Sequence, residues 1–293
     1  SDHAIALHRF DDEVQSYQWD KKAYDKPQHA EINNQRTATE SGDPYLLTPE
    51  KSNGLGVVLV HGFLASPAEL RGFADRLLTA GHPVIGVRLK GHGTSPWDLR
   101  DRTWKEWLSS VRRGFQIMSA LTDKVCVVGF SSGGALALHM AAENLDKLAG
   151  VCAISAPLKF RNKNLVFVPL LHGVNKLTGW LPTMESVMPF IDNDSEHPEI
   201  NYRHIPVRGL YELRRMVDEM EEALPNIQCP AAVLQGDEDH VIEAESAKII
   251  ASKIGSENTE LHMIPSKRHG ILNEDIGGTQ DKVLAFVNSL GKK

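Results

Sequence analysis

One segment organises this chain, and it reads Val125-Cys126-Val127-Val128-Gly129-Phe130-Ser131-Ser132-Gly133-Gly134-Ala135-Leu136-Ala137. Its first part is an apolar run typical of a buried strand, and its last part is rich in Ala and Leu, which favours a helix. Between them lies G-x-S-x-G, in which a serine occupies a sharp strand-to-helix turn and the glycines leave room for a strained backbone. Ser131 is therefore the candidate nucleophile. The alternative for so short a pattern is a small-residue joint without chemistry.

The composition narrows the class of protein. With 293 residues, 41% of them hydrophobic, the chain is long enough for one α/β core with an inserted segment. The formal net charge of −6 argues against nucleic acid as a partner, because phosphate binding needs a basic face. No apolar run reaches the roughly 18 residues of a membrane-spanning helix, and the first residues lack the layout of a secretory signal. We therefore expect a cytoplasmic protein, with a leader upstream of Ser1 left open.

The spacing of cysteines and histidines predicts neither disulfides nor a metal site. Cys126 and Cys152 fall in apolar, strand-like runs, where a free cysteine behaves as a small hydrophobe. We expect these two and Cys229 to be reduced. The histidines show neither H-E-x-x-H nor the Cys/His spacing of zinc ligands. The expected protein needs no metal and no cofactor.

Strand and helix patterns alternate over most of the chain. The strand-like runs lie at 45–47, 57–60, 83–87, 125–130, 148–154, 231–235 and 260–264, and the helical patterns lie at 66–80, 103–121, 132–137, 243–254 and 280–290. Alternation at this spacing predicts βαβ units and a mostly parallel sheet. One helix start is explicit, because Ser66 is a suitable N-cap, proline follows it, and Glu69 stands at the third helical position.

Two sections depart from this alternation. Residues 1–44 are polar with scattered aromatic side chains, and we interpret them as an N-terminal extension that packs on the core or stays partly mobile, with a weakly supported helix near 11–22. Residues 158–226 are apolar and punctuated by prolines, and we interpret them as an inserted cap. The alternative for the second section is a run of ordinary core helices. The core then consists of 45–157 and 227–293.

A serine hydroxyl is a poor nucleophile at neutral pH, so it needs a base, and the base needs an acid that orients it. Ser131, Asp239 and His269 each follow a predicted strand, so they would meet at the carboxyl edge of a parallel sheet, where open α/β folds bind ligands. The order Ser, Asp, His along the chain is that of the α/β-hydrolases. These three residues are the candidate catalytic triad.

Two positions in this triad have competitors. Asp237 stands beside Asp239 in the same loop, and local pattern alone does not separate them. His262 lies inside the last predicted strand, whereas His269 lies in the loop after it, from which a side chain can reach inward. We therefore favour His269 as the base.

The oxyanion that forms when serine attacks a carbonyl needs two aimed backbone N–H groups. Ser132, directly after the nucleophile, offers one from the start of a helix, and Phe63, in the loop after the first long strand, is placed to offer the second. For His61 we favour a role in ordering that loop over a direct catalytic part.

Five ordered motifs carry a family resemblance: Val-His-Gly-Phe at 60–63, Lys-Gly-His-Gly-Thr-Ser at 90–95, Gly-Phe-Ser-Ser-Gly at 129–133, Gly-Asp-Glu-Asp-His-Val at 236–241 and Ser-Lys-Arg-His at 266–269. Together they resemble the bacterial monoacylglycerol lipase and small carboxylesterase branch of the α/β-hydrolases. The resemblance implies a mostly parallel central sheet flanked by helices, with a cap inserted after the sixth strand. It also implies ester hydrolysis with Ser131 as nucleophile, His269 as base and Asp239, rather than Asp237, as acid. Phe63 and Ser132 would be the oxyanion donors.

The cap would then set the substrate. If 163–191 cover Ser131, their apolar side chains would line an acyl tunnel or pack the cap onto the core: Leu165, Phe167, Leu170, Leu171, Trp180, Leu181, Met184, Met188 and Phe190. We expect a small-molecule substrate, a medium- to long-chain acyl ester such as a monoacylglycerol, and transient contact of the cap with lipid surfaces. The alternatives are a thioesterase, amidase or acyltransferase with the same triad, or a non-catalytic ligand receptor.

Overall fold

A computed structural model of the protein describes residues 2–161 and 188–291. The strands are β1 (Tyr45–Leu47), β2 (Leu55–Val60), β3 (Val84–Val87), β4 (Lys124–Phe130), β5 (Leu148–Ile154), β6 (Phe190–Asp192), β7 (His204–Pro206), β8 (Ala231–Gly236) and β9 (Thr259–Ile264). A seven-stranded sheet has the order β1-β3-β2-β4-β5-β8-β9, with β1 antiparallel to β3 and every other pair parallel. β6 and β7 form a separate antiparallel ribbon. The predicted mostly parallel sheet is confirmed.

Helices cover both faces of this sheet. They are α1 (Asp2–Tyr24), α2 (Ala30–Asn33), α3 (Arg71–Thr79), α4 (Pro96–Arg100), α5 (Trp104–Leu121), α6 (Ser132–Ala141), α7 (Val207–Ala223), α8 (Glu245–Lys253) and α9 (Thr279–Leu290). Apolar residues of α3 and α9 pack on one face, and those of α5, α6, α7 and α8 pack on the other. Within the described ranges, no helix is both long enough and apolar enough to cross a membrane.

The inner strands β2, β3 and β8 are buried along their whole length and almost entirely apolar, because helices cover both faces of the sheet there. In β2, Val58 and Val60 point into the core beneath α5 and α6, whereas Val57 and Leu59 point into the core beneath α3 and α9. All four side chains are at most 1% exposed. Burial of a valine or leucine side chain contributes about 1.5–3 kcal/mol, so each strand stabilises both layers.

The N-terminal extension is more helical than its sequence predicts. The helix expected near 11–22 in fact runs from Asp2 to Tyr24 and packs along α5. Only Ala6, Tyr17 and Asp20 of this helix are buried, so it lacks the apolar stripe by which surface helices are recognised. Ion pairs to the core replace that stripe. Glu13 pairs with Arg113 of α5 at 2.5 Å, and Asp20 pairs with Arg88 at 2.6 Å.

The section interpreted as a cap begins after the fifth strand of the main sheet, not after the sixth as the family resemblance implies, because only the five strand-like runs of the sequence form strands before it. Residues 162–187, which include most of the expected tunnel side chains, lie outside the described residues. The described remainder contains the β6–β7 ribbon and α7. Leu213, Met216, Val217 and Met220 of α7 join the main core, so this helix behaves as the core helix of the alternative interpretation.

The helix start predicted at Ser66 takes a different form. Residues Pro67–Leu70 form a 3-10 helix, and α3 begins only at Arg71. The Ser66 side chain makes no capping hydrogen bond, and its buried hydroxyl has no partner among the described residues. The predicted capping arrangement of Ser66 and Glu69 was therefore wrong. The Glu69 side chain turns away from the helix start, toward the loop after β2.

Candidate active site

The turn at Ser131 is strained in the way that the sequence predicts. Ser131 has φ 54° and ψ −125°, a conformation that side-chain-bearing residues rarely adopt. Its N–H donates to the carbonyl oxygen of Ile154 at 2.8 Å, which fixes the turn to the end of β5. A Cβ at Gly129 would collide with the backbone of Gly133, and a Cβ at Gly133 would collide with the carbonyl of Val60. Glycine is therefore required on both sides of this serine.

The structure brings Ser131, His269 and Asp239 together in one line of hydrogen bonds. The distance from Ser131 Oγ to His269 Nε2 is 2.9 Å, and that from His269 Nδ1 to Asp239 Oδ2 is 2.8 Å. A carboxylate only accepts, so the proton lies on Nδ1, and Nε2 of the neutral ring is free to accept from the serine hydroxyl. Half-buried Ser131 is followed by fully buried Ser132, at the carboxyl edge of the sheet.

Asp239 is held as an anion in a buried place. Its side chain is 0% exposed, and its Oδ1 accepts from the N–H groups of Val241 and Ile242 at 2.8 and 3.1 Å. Burial alone would raise the pKa of Asp239, but the hydrogen bond and charge of His269, together with the two backbone donors, hold that pKa below its ordinary value. Gln235 Nε2 adds a donor to Oδ2 at 3.0 Å. Sequence reasoning missed Gln235, although it is the one polar residue ending an apolar strand.

The competing residues lie elsewhere. Asp237 is exposed, and its Oδ1 accepts from the N–H of Ser266 at 3.0 Å, so it ties the β8 loop to the β9 loop. His262 lies within β9, and its Nε2 is 3.0 Å from Glu260 Oε2 on the surface. Neither side chain contacts Ser131 or His269 in the described structure.

His61 orders the loop after β2. Its Nδ1 donates to the carbonyl of Gly62 at 2.8 Å, and its Nε2 accepts from the N–H of Leu89 at 3.2 Å. Burial lowers the pKa of His61 to about 4, so the ring stays neutral at physiological pH. The loop itself turns tightly, with Leu64 at φ 70° and Ala65 N–H donating to the Gly62 carbonyl at 3.3 Å.

The two candidate oxyanion donors belong to two different segments, the loop after β2 and the start of α6. Ser132 is the first residue of α6, and Phe63 follows Gly62 in the loop. Within the described ranges, neither of these backbone N–H groups donates to another protein atom. The Phe63 ring packs against Trp107 and His92, with centroid distances of 5.7 and 5.9 Å. This packing anchors the Phe63 side chain to the core.

Glu69 is a buried acid of this site that sequence reasoning did not identify. Its Oε2 accepts from Gly62 N–H at 2.7 Å, and the residue is 7% exposed. Burial raises the pKa of Glu69 to about 7, while the Gly62 N–H and the charges of His269 and His197 act to lower it. Its sequence pattern, three residues after a serine, indicated a helix cap.

Next to His269 lies a group of charged side chains that is close enough to share a cation: Glu196, His197 and Glu274. Arg268 already pairs with Glu274 at 2.7 Å and with Glu196 at 3.2 Å. His197 Nε2 is 2.8 Å from Glu274 Oε1. The group thus forms an ion-pair cluster that links the segment before β7 to the His269 loop.

Of the side chains expected to line an acyl tunnel, the structure describes Met188 and Phe190. Met188 is 42% exposed. The ring of Phe190, in β6, packs edge-on against Trp97 with a centroid distance of 4.7 Å. The other seven lie outside the described residues.

A family model and two relatives of known function match most of this chain. A family model described as serine aminopeptidase, S33, matches residues 53–276. The chain is 31% identical to the thermostable monoacylglycerol lipase of Bacillus sp. (strain H-257), over 73% of this chain and 82% of that protein. It is 22% identical to the carboxylesterase of Bacillus subtilis (strain 168), over 82% of this chain and 95% of that protein.

Solved structures agree in fold. A structure described with the metagenome-derived lipolytic enzymes LipS and LipT has a TM-score of 0.72 at 24% identity, and covers 86% of this chain and 99% of its own. The Paleococcus ferrophilus monoacylglycerol lipase has a TM-score of 0.67 at 18% identity, and covers 84% of this chain and 98% of its own. The predicted α/β-hydrolase fold is confirmed.

Proposed function

Because the chain belongs to the serine aminopeptidase S33 family of α/β-hydrolases, we propose that it cleaves medium- to long-chain acyl esters, foremost monoacylglycerols, through an acyl-enzyme on Ser131. It is a serine ester hydrolase of the lipase and carboxylesterase type. The observation that carries the proposal is the hydrogen-bonded line from Ser131 through His269 to the buried Asp239.

In the first half of the reaction, Ser131 Oγ attacks the ester carbonyl carbon while His269 Nε2 takes the hydroxyl proton. The carbonyl oxygen becomes an oxyanion, for which the N–H groups of Phe63 and Ser132 are the proposed donors. Asp239 stabilises the imidazolium that forms. When the tetrahedral intermediate collapses, the bond to the leaving alkoxide breaks, and Nε2 passes its proton to that oxygen, so the alcohol departs.

In the second half, water replaces the alcohol. His269 Nε2 takes a proton from water as the hydroxide oxygen bonds to the acyl carbon. Collapse of this intermediate breaks the bond to Ser131 Oγ, which recovers the proton from Nε2. The products are one carboxylic acid and one alcohol, and the enzyme returns to its starting state.

The proposed acyl preference rests on the cap. Each buried methylene contributes about 0.8 kcal/mol to binding, so a lined tunnel for eight to ten carbons, a length taken only as an order-of-magnitude estimate, would strongly favour such chains over acetate. The relatives that match over most of their length include a monoacylglycerol lipase. Transient contact of the cap with lipid surfaces belongs to the same proposal.

We expect Ser131→Ala to fold normally and to lose nearly all hydrolysis of p-nitrophenyl esters, because Oγ is the attacking atom. It should also lose labelling by a fluorophosphonate probe. Ser252→Ala is the control, since Ser252 is exposed on α8 and its Oγ donates to the carbonyl of Ile249 at 2.8 Å, so it should keep full activity and labelling. A Ser131→Ala protein that still labels or turns over would refute the nucleophile assignment.

The acyl preference is tested by a chain-length series of monoacylglycerols and p-nitrophenyl esters. We expect kcat/KM to rise with chain length from acetate and to level off where the tunnel ends. A flat series, or a maximum at acetate, would contradict the proposed medium- to long-chain preference while leaving the esterase class intact.

A second candidate is cleavage of amide bonds, favoured by the description of the matching family model as serine aminopeptidase. The same triad supports both reactions. Turnover of aminoacyl p-nitroanilides above that of the matched esters would support this candidate.

We also propose a cytoplasmic location. The support for it is that all three cysteines are free, with Cys126 and Cys152 buried, as is usual for proteins of reducing compartments. Fractionation of source cells followed by immunodetection tests it.

A further inference from the structure

Glu69 is a buried acid that no step of the proposed reaction uses. Its residue is 7% exposed, and within the described ranges no lysine or arginine forms an ion pair with it. Burial of a carboxylate without a cation is unfavourable, and an apolar side chain at the same position would cost less free energy. The position therefore calls for an account of what the carboxylate does.

The contacts of Glu69 point to the loop that carries Phe63. Glu69 Oε2 accepts from Gly62 N–H at 2.7 Å. A Cβ built on Gly62 would lie 3.3 Å from Glu69 Oε2 and 3.4 Å from Ser131 Cβ, so Gly62 stands directly between the acid and the serine. Glu69 thus holds the N–H of the His61–Gly62 peptide, and the His61 ring holds the carbonyl of the next peptide, Gly62–Phe63, which also carries the Phe63 N–H.

Among the described residues, the next N–H, that of Phe63, donates to no protein atom. The two peptide units are joined through φ and ψ of Gly62, so a tilt of the His61–Gly62 unit that Glu69 holds also tilts the Phe63 N–H. Oxyanion stabilisation depends steeply on the aim of such donors.

We propose that Glu69 is a positioning residue for ester hydrolysis: its ionised carboxylate anchors Gly62 N–H and so aims the Phe63 N–H at the oxyanion that forms beside Ser131. This rests on the proposed function of Ser131 and Phe63. A charge-assisted hydrogen bond is roughly twice as strong as a neutral one, so the ionised acid holds the loop better than the protonated acid does.

The charged groups that face Glu69 are His269, from the loop after β9, and His197, from the segment before β7. His197 is itself paired with Glu274. The pKa of Glu69, raised to about 7 by burial, places its ionisation in the range where a hydrolase is assayed.

The test compares Glu69→Gln and Glu69→Ala with wild type in kcat and KM for a p-nitrophenyl ester from pH 5.5 to 9. Glutamine keeps an acceptor oxygen and mimics the protonated acid. Above pH 8 we expect kcat of Glu69→Gln to be reduced about 10-fold and that of Glu69→Ala about 100-fold, short of the loss of a whole oxyanion donor, with KM changed less than about threefold. Below pH 6 wild type and Glu69→Gln should converge, because both then present a neutral acceptor.

Thermal stability separates this role from a purely structural one. Because the folded-state pKa of Glu69 is raised from 4.5 to about 7, the folded protein keeps a proton that the unfolded chain has released, and stability falls as pH rises through this window. Glu69→Gln should therefore have a higher Tm than wild type at pH 8, with a smaller difference at pH 5. Lower kcat together with higher Tm is the expected signature.

Glu106→Gln is the matched control, since Glu106 also follows a helix-capping residue by three positions but accepts from Thr103 N–H at 2.9 Å, far from the serine. It should leave kcat unchanged at every pH. If Glu69→Gln equals wild type at pH 8, or if its kcat and Tm fall together, the inference is wrong. If instead wild type neither hydrolyses esters nor labels at Ser131, the proposed function itself has failed, and this inference fails with it.

Discussion

The buried carboxylate of Asp239 fixes the hydrogen bond that it accepts from His269 Nδ1. Four donors converge on its two oxygens, from His269, Gln235, Val241 and Ile242. These four hydrogen bonds stabilise the ionised form of the Asp239 carboxylate. The Nδ1–H of His269 therefore has one fixed acceptor. The tautomer of His269 is therefore set by Asp239.

We expect Asp239→Asn to reduce kcat about 10⁴-fold with little change in fold, because an amide that donates to Nδ1 moves the proton to Nε2. The steady-state rate on a p-nitrophenyl ester measures this. Asp237→Asn, two residues away and exposed, is the control and should retain nearly full activity. Equal losses in the two variants would mean that the acid has been misassigned.

At this scale, local pattern placed Ser131, His269 and the pair Asp237 and Asp239 in loops after strands, and parallel strands end at the same edge of a sheet. The choice of Asp239 over Asp237 came from the family resemblance. Pattern failed for Glu69. Three residues after Ser66 it has the spacing of a capping acid, and only the folded loop brings Gly62 N–H within 2.7 Å of it. The Glu69 carboxylate could accept from a backbone N–H at the helix start or from that of Gly62, and the tertiary structure decides which one it binds.

Among the elements, α1 is held by charge more than by apolar contact. Asp20 lies 2.6 Å from Arg88, 2.7 Å from Lys90 and 3.5 Å from Arg102. Burial alone would raise the pKa of Asp20, but the hydrogen bonds and charges of Lys90 and Arg88 keep it below its ordinary value. Arg88 and Lys90 flank Leu89, whose N–H binds His61, so α1 braces the same loop that carries Phe63.

Asp20→Asn should lower the free energy of unfolding by about 3 kcal/mol, because it leaves buried cations without their carboxylate. Urea denaturation at pH 7 measures the change. The stabilisation by Asp20 should disappear in the variant and, in wild type, as pH falls below 3.8, since its folded-state pKa is lowered. Asp12→Asn, exposed on the same helix, should change stability by no more than about 0.5 kcal/mol. Equal effects of the two substitutions would show that α1 is not anchored at Asp20.

The length of α1 could not be predicted because its partners are distant in the chain. Asp20 and Arg88 are 68 residues apart, and Glu13 and Arg113 are 100 apart. Periodicity detects a helix by its apolar face, and this helix has almost none. By contrast α5, which has Trp107, Leu108, Val111 and Phe115 on one face, was predicted within a residue at each end.

At the scale of the whole molecule, the central sheet shields two cysteine thiols from reagents in solvent. Cys126 and Cys152 lie in β4 and β5 and are 0% exposed, and burial raises the pKa of the Cys126 thiol well above its ordinary value. Their reactivity should therefore report opening of the sheet.

In native protein we expect a thiol reagent such as DTNB to modify Cys229 first, because it is only half-buried, although slowly, because burial raises the pKa of its thiol to about 11. Cys126 and Cys152 should react together in urea, in step with the loss of activity. Cys229→Ser should leave no thiol that reacts in the native protein. Rapid native reaction of all three cysteines would show that the sheet opens locally without global unfolding.

The overall fold could be predicted from the sequence, because inner strands of a parallel sheet with helices on both faces are continuous apolar runs. The placement of the insertion after the sixth strand came from the family resemblance, and the structure has five strands of the main sheet before it. The pattern of α7 did not fix its place either. An amphipathic helix has the same pattern whether it covers a core or a cap, and here its apolar face joins the core of the sheet.

The distance along the chain between Ser131 and His269 has a consequence for biosynthesis. The two residues are separated by 138 positions, and His269 follows β9, the edge strand and the last to leave the ribosome. Under the proposed mechanism, a nascent chain that has folded β2, β4 and α6 holds Ser131 without its proposed base and forms no acyl-enzyme. Recovery of esterase activity during refolding should therefore lag behind recovery of helix content.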